Sequence, residues 1–109
     1  MATTYKVLGQ VAPSAASATT LYTVPGATQT VVSTINVVNT GGASDIVRIA
    51  IRPAGATLAI EHYIVYNLSL SPTATFTYTS GATLSATDVV TVYSENGTSS
   101  FNAFGSEIA

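Results

Sequence analysis

The sequence predicts an all-β fold, an antiparallel β-sandwich of about eight strands. β-Branched and aromatic residues recur in short runs, and Gly, Pro, Asn and Ser separate these runs. Helical periodicity is almost absent, whereas residues 45–52 alternate with a period of two, so that Val47, Ile49 and Ile51 share one face. At 109 residues, the chain has the length of one domain, which we place at residues 1–109.

Turn residues separate the predicted strands. Pro25-Gly26 fits a type II turn, and a further turn is expected at Ser80-Gly81. Gly41-Gly42 and Asn96-Gly97 favour two hairpins, one between the third and fourth strands and one at the C-terminus. Jelly-roll and immunoglobulin-like connections remain alternatives, because the pattern defines strands better than their pairing. The predicted strands are Tyr5–Gln10, Thr20–Val24, Gln29–Asn39, Asp45–Arg52, Glu61–Ser71, Ala74–Thr79, a short piece at Thr83–Leu84, Asp88–Glu95 and Thr98–Gly105.

Alternation also predicts which side chains point outward. In the fourth strand it places Arg48, Ala50 and Arg52 on the exposed face. In the fifth strand, both faces are expected to be buried in the middle. One face there holds His62, Ile64, Tyr66, Leu68 and Leu70, and the other holds Tyr63, Val65 and Asn67.

Composition argues against two classes of partner. The chain has three basic and five acidic residues, and only 7% of its residues are charged. Nucleic-acid binding requires clustered Lys and Arg, so we expect no nucleic acid as partner. Apolar runs stop far short of the roughly 18 to 20 residues that span a bilayer, so we expect no membrane partner either.

No residue pattern points to catalysis, a metal or a cofactor. The single histidine, His62, adjoins Glu61, but neighbouring strand residues face opposite ways and cannot act on one substrate. A Ser-His-Asp triad with Asp45 or Asp88 lacks a Gly-x-Ser-x-Gly turn, and both aspartates are expected to bond local backbone at strand starts. With no cysteine and one histidine, metal ligands are also lacking. We therefore predict a non-enzymatic protein with no catalytic, cofactor-binding or metal-binding residues.

Tyrosine is the dominant aromatic residue, and the chain has no Trp. Tyrosine is common both in interfaces and at the edge of a core. A carbohydrate-binding platform is an alternative that the absence of Trp disfavours. The tyrosines are Tyr5, Tyr22, Tyr63, Tyr66, Tyr78 and Tyr93.

Five stretches of the chain together resemble sequences of a known protein family. They are Tyr5–Gln10, Leu21–Pro25, Val31–Ile35 with Val37–Asn39, His62–Ile64 and Ser100–Ile108. Together they resemble a family of small virion structural proteins of tailed bacteriophages, and the resemblance spans nearly the whole chain. Each stretch describes strands and turns, so the resemblance bears on fold more than on mechanism.

The resemblance implies a structural protein of the virion, assembled in the host bacterial cytoplasm. Our first hypothesis is a capsid decoration or cement subunit that binds the major capsid protein and stabilises the head. It would act as a homo-oligomer, with a trimer favoured at capsid three-fold positions. The alternative is a tail, neck or baseplate fibre or adaptor module that binds tail proteins, a receptor or a glycan. Exposed tyrosines clustered on one face would favour this alternative.

The segment from Val11 to Thr19 is rich in Ala and Ser and contains Pro13. These residues suit an extended arm at residues 11–19 better than a helix. Such an arm is a candidate docking element, since small residues let backbones approach closely and an arm can become ordered on binding. An ordinary loop is the alternative.

Overall fold

Two antiparallel sheets pack face to face in the computed structural model, which describes residues 2–79 and 81–109. The predicted β-sandwich is confirmed, and β3 and β4 have the predicted ends. Two short 3-10 turns, Pro53–Gly55 and Ile60–His62, lie between β4 and β5. The strands of the described residues are β1 (Thr3–Val11), β2 (Thr19–Thr23), β3 (Gln29–Asn39), β4 (Asp45–Arg52), β5 (Tyr63–Leu70), β6 (Thr75–Tyr78), β7 (Ala82–Leu84), β8 (Val89–Ser94) and β9 (Ser99–Ile108).

Successive strands mostly alternate between the sheets. The five-stranded sheet has the order β1-β9-β3-β6, with β7 also paired to β3, and the four-stranded sheet has the order β2-β8-β4-β5. This is the jelly-roll arrangement, which decides between the two topologies left open by the sequence. Of the predicted turn at Ser80-Gly81, Ser80 lies outside the described residues. The described residues include no helix long and apolar enough to cross a membrane.

Both predicted hairpins are wrong. β3 pairs with β9, β6 and β7, whereas β4 pairs with β5 and β8, so the Gly41-Gly42 connection crosses from one sheet to the other. The Asn96-Gly97 connection crosses in the same way, because β8 belongs to the four-stranded sheet and β9 to the five-stranded one. Gly97 has the left-handed φ of 70° that such a turn uses. The turn residues are therefore correctly placed, but the strands they join find partners far away in sequence.

The core lies between the inner faces of the sheets. Phe101 is the largest of the fully buried side chains and comes from the central strand β9. Val47 and Ile49 are also fully buried, which confirms the inward face predicted for β4. The exposure predicted for Ala50 is wrong: it is buried, and Tyr63 of β5 and Thr91 of β8 lie opposite it on the two sides. The other buried apolar residues of this cluster are Leu8, Leu21, Tyr22, Val24, Val32, Ile35, Val37, Leu70, Leu84, Val90, Val92 and Ala103.

The alternation predicted for β5 is wrong because irregularities in pairing interrupt it. Leu68 and Val65 both lie opposite core residues of β4, although they were predicted on different faces. Between them, a bulge places Tyr66 and Asn67 opposite Arg48, and Asn67 has a left-handed φ of 51°. Bulges also hinder the pairing of this edge strand with another chain.

The segment predicted as an arm, residues 11–19, is mostly a connection between β1 and β2. Only residues 12–18 lie outside these strands, and they include a turn. Pro13 is buried, and the backbone N–H of Ala16 donates to the carbonyl oxygen of Ser94 at 2.9 Å. The segment is thus tied to the end of β8.

Candidate interaction surfaces

The residues considered for catalysis make structural contacts. His62 ends a 3-10 turn rather than lying in a strand, and its Nδ1 accepts a hydrogen bond from the backbone N–H of Ala59 at 3.0 Å. Asp88 accepts hydrogen bonds from the backbone N–H of Ser85 and of Ala54, each at 2.8 Å. Over residues 2–79 and 81–109, no three His, Cys, Asp or Glu side chains are grouped to hold a metal ion.

A buried carboxylate lies between the Gly41-Gly42 and Asn96-Gly97 connections, which both cross from one sheet to the other. We refer to these two connections as the crossings. Asp45 is fully buried and accepts hydrogen bonds from the hydroxyls of Ser94 and Ser99 and from the backbone N–H groups of Ile46 and Asn96. Burial by itself raises the pKa of Asp45, but these hydrogen bonds together outweigh it and hold the pKa below its ordinary value. The ionised carboxylate therefore stabilises the starts of β4 and β9 together.

Asn39 has a similar role at the end of β3. Its side chain is fully buried, and its Nδ2 donates to the carbonyl oxygens of Ala43 at 2.8 Å and Leu70 at 3.0 Å. Its Oδ1 accepts from the backbone N–H of Gly41 and the hydroxyl of Thr98, both at 3.0 Å. One amide side chain thus joins both crossings to the end of β5.

A second polar group joins the sheets at the other end of β9. The hydroxyl of Tyr22 lies 2.8 Å from that of Thr30 and donates to Glu107 at 2.5 Å, and Lys6 lies 3.4 Å from the same carboxylate. Burial, together with the bond to Glu107, raises the pKa of Tyr22 to about 12. The hydrogen bond from Tyr22 holds the pKa of Glu107 below its ordinary value, against the opposing effect of burial.

Glu107→Gln is expected to lower the free energy of unfolding by about 1 to 2 kcal/mol near neutral pH, because Tyr22 and Lys6 lose an ionised partner. The folded-state pKa of Glu107 is depressed, so its contribution is present above its unfolded pKa of about 4.3 and disappears as the pH falls through the folded-state value. Urea unfolding of both proteins at neutral pH and at about pH 3 measures this. The exposed Glu95→Gln is the control, and an equal loss at both pH values would contradict the expectation.

The outer face of the four-stranded sheet carries a cluster built around Arg48. Its guanidinium carbon lies over the ring of Tyr66 at 4.7 Å and over the ring of Tyr93 at 4.4 Å from the ring centroids. The Nε of Arg48 donates to the Oδ1 of Asn67 at 2.6 Å. Tyr63 meets Tyr66 edge to face with ring centroids 4.9 Å apart. We refer to these five residues as the Arg48 cluster.

Strand pairing explains how these side chains meet. Tyr93 of β8 lies directly opposite Arg48 of β4. On the other side of β4, the bulge in β5 places Tyr66 and Asn67 opposite Arg48. Two rings and one hydrogen bond therefore hold the guanidinium, while its two Nη groups make no hydrogen bond within the described residues. Because the Nη groups remain available, they can bind an anionic group edge-on.

The six tyrosines divide among four environments. Three of them belong to the Arg48 cluster, and among these Tyr66 is half exposed. Tyr22 is in the interior, Tyr78 stacks on Phe76 in β6, and Tyr5 projects from β1. The sequence left tyrosine open between an interface and the edge of a core and placed Arg48 outward, but it did not predict that they meet.

The outer face of the five-stranded sheet is a second open surface. Tyr5 is 84% exposed and Val7 is 47% exposed, and both lie on β1. Beside Tyr5 is a shallow depression of about 400 Å³, with Val31 and Phe104 among its lining residues.

Neither family models nor curated proteins match this chain. Support for a function therefore comes from the two outer faces, the fold and the resemblance of the five stretches.

Proposed function

We propose that this protein is a non-enzymatic structural component of a tailed-phage virion and acts as a capsid decoration or cement subunit. The Arg48 cluster is the observation that carries the structural, non-enzymatic part of the proposal, and the fold and the resemblance favour the capsid over the tail. Arg and Tyr are the residue types that contribute most often to the binding energy of protein interfaces. A cluster of them on the outside of a sheet is suited to docking on a neighbouring virion protein.

The geometry of the cluster fits a partner that presents a carboxylate. The guanidinium of Arg48 is already held by two rings and by Asn67, so little side-chain freedom is lost on binding. The planar fork of an arginine binds a carboxylate through two parallel hydrogen bonds. We therefore expect an Asp or Glu side chain of the major capsid protein to meet Arg48.

The fold and the composition support the same proposal by analogy. Double-sheet jelly rolls are common in viral capsid domains, although a fold by itself does not define a function. The sequence stretches that resemble small virion proteins fall on β1, β2, β3 and β9 and on the start of β5. A sandwich with few charges suits a subunit that buries flat polar surface against symmetric neighbours.

A tail, neck or baseplate adaptor is the second candidate, and the grouping of three of the six tyrosines on one face favours it. A glycan is a weaker candidate for the occupant of this face. Sugar rings need open aromatic surface, and the guanidinium of Arg48 already covers one side of the Tyr66 and Tyr93 rings.

Arg48→Ala is expected to weaken binding to phage particles that lack this protein by at least about tenfold, because the docking residue is lost. Fluorescently labelled protein is titrated onto such particles, and the bound copies per particle are counted. Arg48→Lys keeps the charge but not the planar fork, and it should also bind more weakly.

Lys6→Ala is the matched control, because it removes one positive charge from the other sheet. It should bind like the wild type. Equal binding of Arg48→Ala and wild type, with both proteins shown to be folded by their Tm, would reject the Arg48 cluster as the docking site.

A further inference from the structure

Among the described residues of the five-stranded sheet, no strand position that alternation turns outward holds a charged residue. The only charged residues of its strands are Lys6 and Glu107, which bind each other. Glu107 also accepts a hydrogen bond from Tyr22 of the opposite sheet, which places its carboxylate on the inner side. The side chain of Lys6 is 45% exposed on the edge strand β1, and Lys6 is among the residues that line the depression beside Tyr5. The outward positions hold Thr, Ser, Asn, Gln, Val, Ile, Tyr and Phe, which leaves a neutral surface with an apolar patch.

The apolar patch combines a protrusion with a depression. Tyr5 and Val7 of β1 pair with Ser106 and Phe104 of β9, so all four face outward together. Tyr5 is 84% exposed and therefore stands almost free of the surface. The adjoining depression of about 400 Å³ is lined by Tyr5 itself, Lys6, Val31, Ser33 and residues 104–106.

We propose that two copies of this chain pair through this face around a two-fold axis, with Tyr5 of each copy inserted in the depression of the other. In a two-fold interface, the same patch meets itself, so a protrusion and the cavity that receives it must lie on one surface. Tyr5 and the depression meet this requirement.

Charge and size both favour a second copy as the occupant. The one charge that adjoins this face, on Lys6, is paired with Glu107, which limits the repulsion that like charges would cause when a surface meets itself. The molecule measures 45 × 27 × 20 Å, so a broad face exceeds the roughly 800 Å² per partner that a stable interface buries. Exposed apolar patches of this kind mark association sites.

This inference concerns the chain by itself and does not depend on the proposed virion role. The outer face of the five-stranded sheet would then serve self-association and that of the four-stranded sheet would serve docking. The Arg48 cluster lies on the latter and stays accessible in such a pair. It differs from the trimer favoured by the resemblance, because a closed two-fold contact through one face gives a dimer.

Sedimentation equilibrium of the full chain from about 1 µM to about 1 mM tests the proposal. The wild type should sediment as a dimer, and Tyr5→Ser should raise the dissociation constant at least about tenfold. Tyr66→Ser makes the same change at an exposed tyrosine of the opposite sheet and should leave the constant unchanged. The constant should also change little between about 0.05 and about 0.5 M salt, because the proposed contact forms no ion pair between the two copies.

Three results would overturn the proposal. The first is a wild type that remains monomeric over the whole range. The second is a trimer, and the third is a dimer that Tyr5→Ser does not weaken. Because Tyr5 is largely exposed, its replacement is expected to leave the Tm unchanged, which separates a lost contact from a lost fold.

Discussion

Asp45→Asn is expected to lower the free energy of unfolding by about 3 kcal/mol near neutral pH. The carboxylate of Asp45 accepts four hydrogen bonds in a fully buried site, two from hydroxyls and two from backbone N–H groups. An asparagine has one oxygen to accept them, and its NH2 group would face donors instead of acceptors. Urea unfolding of the variant and the wild type measures the difference.

The effect should depend on pH in a defined direction. The folded-state pKa of Asp45 is below its ordinary value, so its contribution is present above an unfolded pKa of about 3.9 and disappears as the pH falls through the folded-state value. The difference between variant and wild type should therefore narrow in acid. The exposed Glu61→Gln serves as the control. A loss below about 1 kcal/mol would show that Asp45 does not hold the two crossings together.

Gly105→Ala is expected to destabilise the protein by about 3 kcal/mol or more. A Cβ atom on Gly105 would lie 2.0 Å from the backbone oxygen of Val31 in the neighbouring strand β3. Relief would require the backbone of a central strand to shift, since no side-chain rotation removes this contact. Thermal unfolding followed by circular dichroism would give a much lower Tm, or no cooperative transition at all.

Gly42→Ala is the matched control for this change, because nothing lies within 4 Å of a Cβ built there. Its Tm should stay close to that of the wild type. If both variants unfold at the same temperature, the close approach of β9 and β3 at Gly105 is refuted.

The strands were predictable from sequence, but their partners were not. The runs that form β3 and β4 alternate and end at turn residues, so local pattern defines them. The Gly41-Gly42 dipeptide indicates that the chain turns there, but it does not indicate which strands pair. The choice between a hairpin and a crossing depends on β9 and β8, which lie far along the chain.

The sequence predicted the roles of the polar residues at the crossings less well than it predicted the strands. Asn39 and Asp45 flank the Gly41-Gly42 connection, and such residues usually bond the nearby backbone. Their partners in the second crossing, which include Ser99 and Thr98, become visible only when the two connections are brought together in space.

The Arg48 cluster was predictable in part. Alternation correctly put Arg48 on the outer face of β4, and the richness in tyrosine was compatible with either an interface or the edge of a core. A strict period of two could not show the bulge in β5, where Asn67 adopts a left-handed φ and both Tyr66 and Asn67 come to lie opposite Arg48. Tyr93 joins through pairing of β4 with β8, which is again non-local.

Immunogold electron microscopy tests the proposed role most directly. Antibody against this chain is applied to phage particles produced from a genome that encodes it, with particles from a deletion strain as the control. Label spread over the head is the predicted result. Label confined to the tail or neck would contradict the cement role in favour of the adaptor, and particles without label would contradict both.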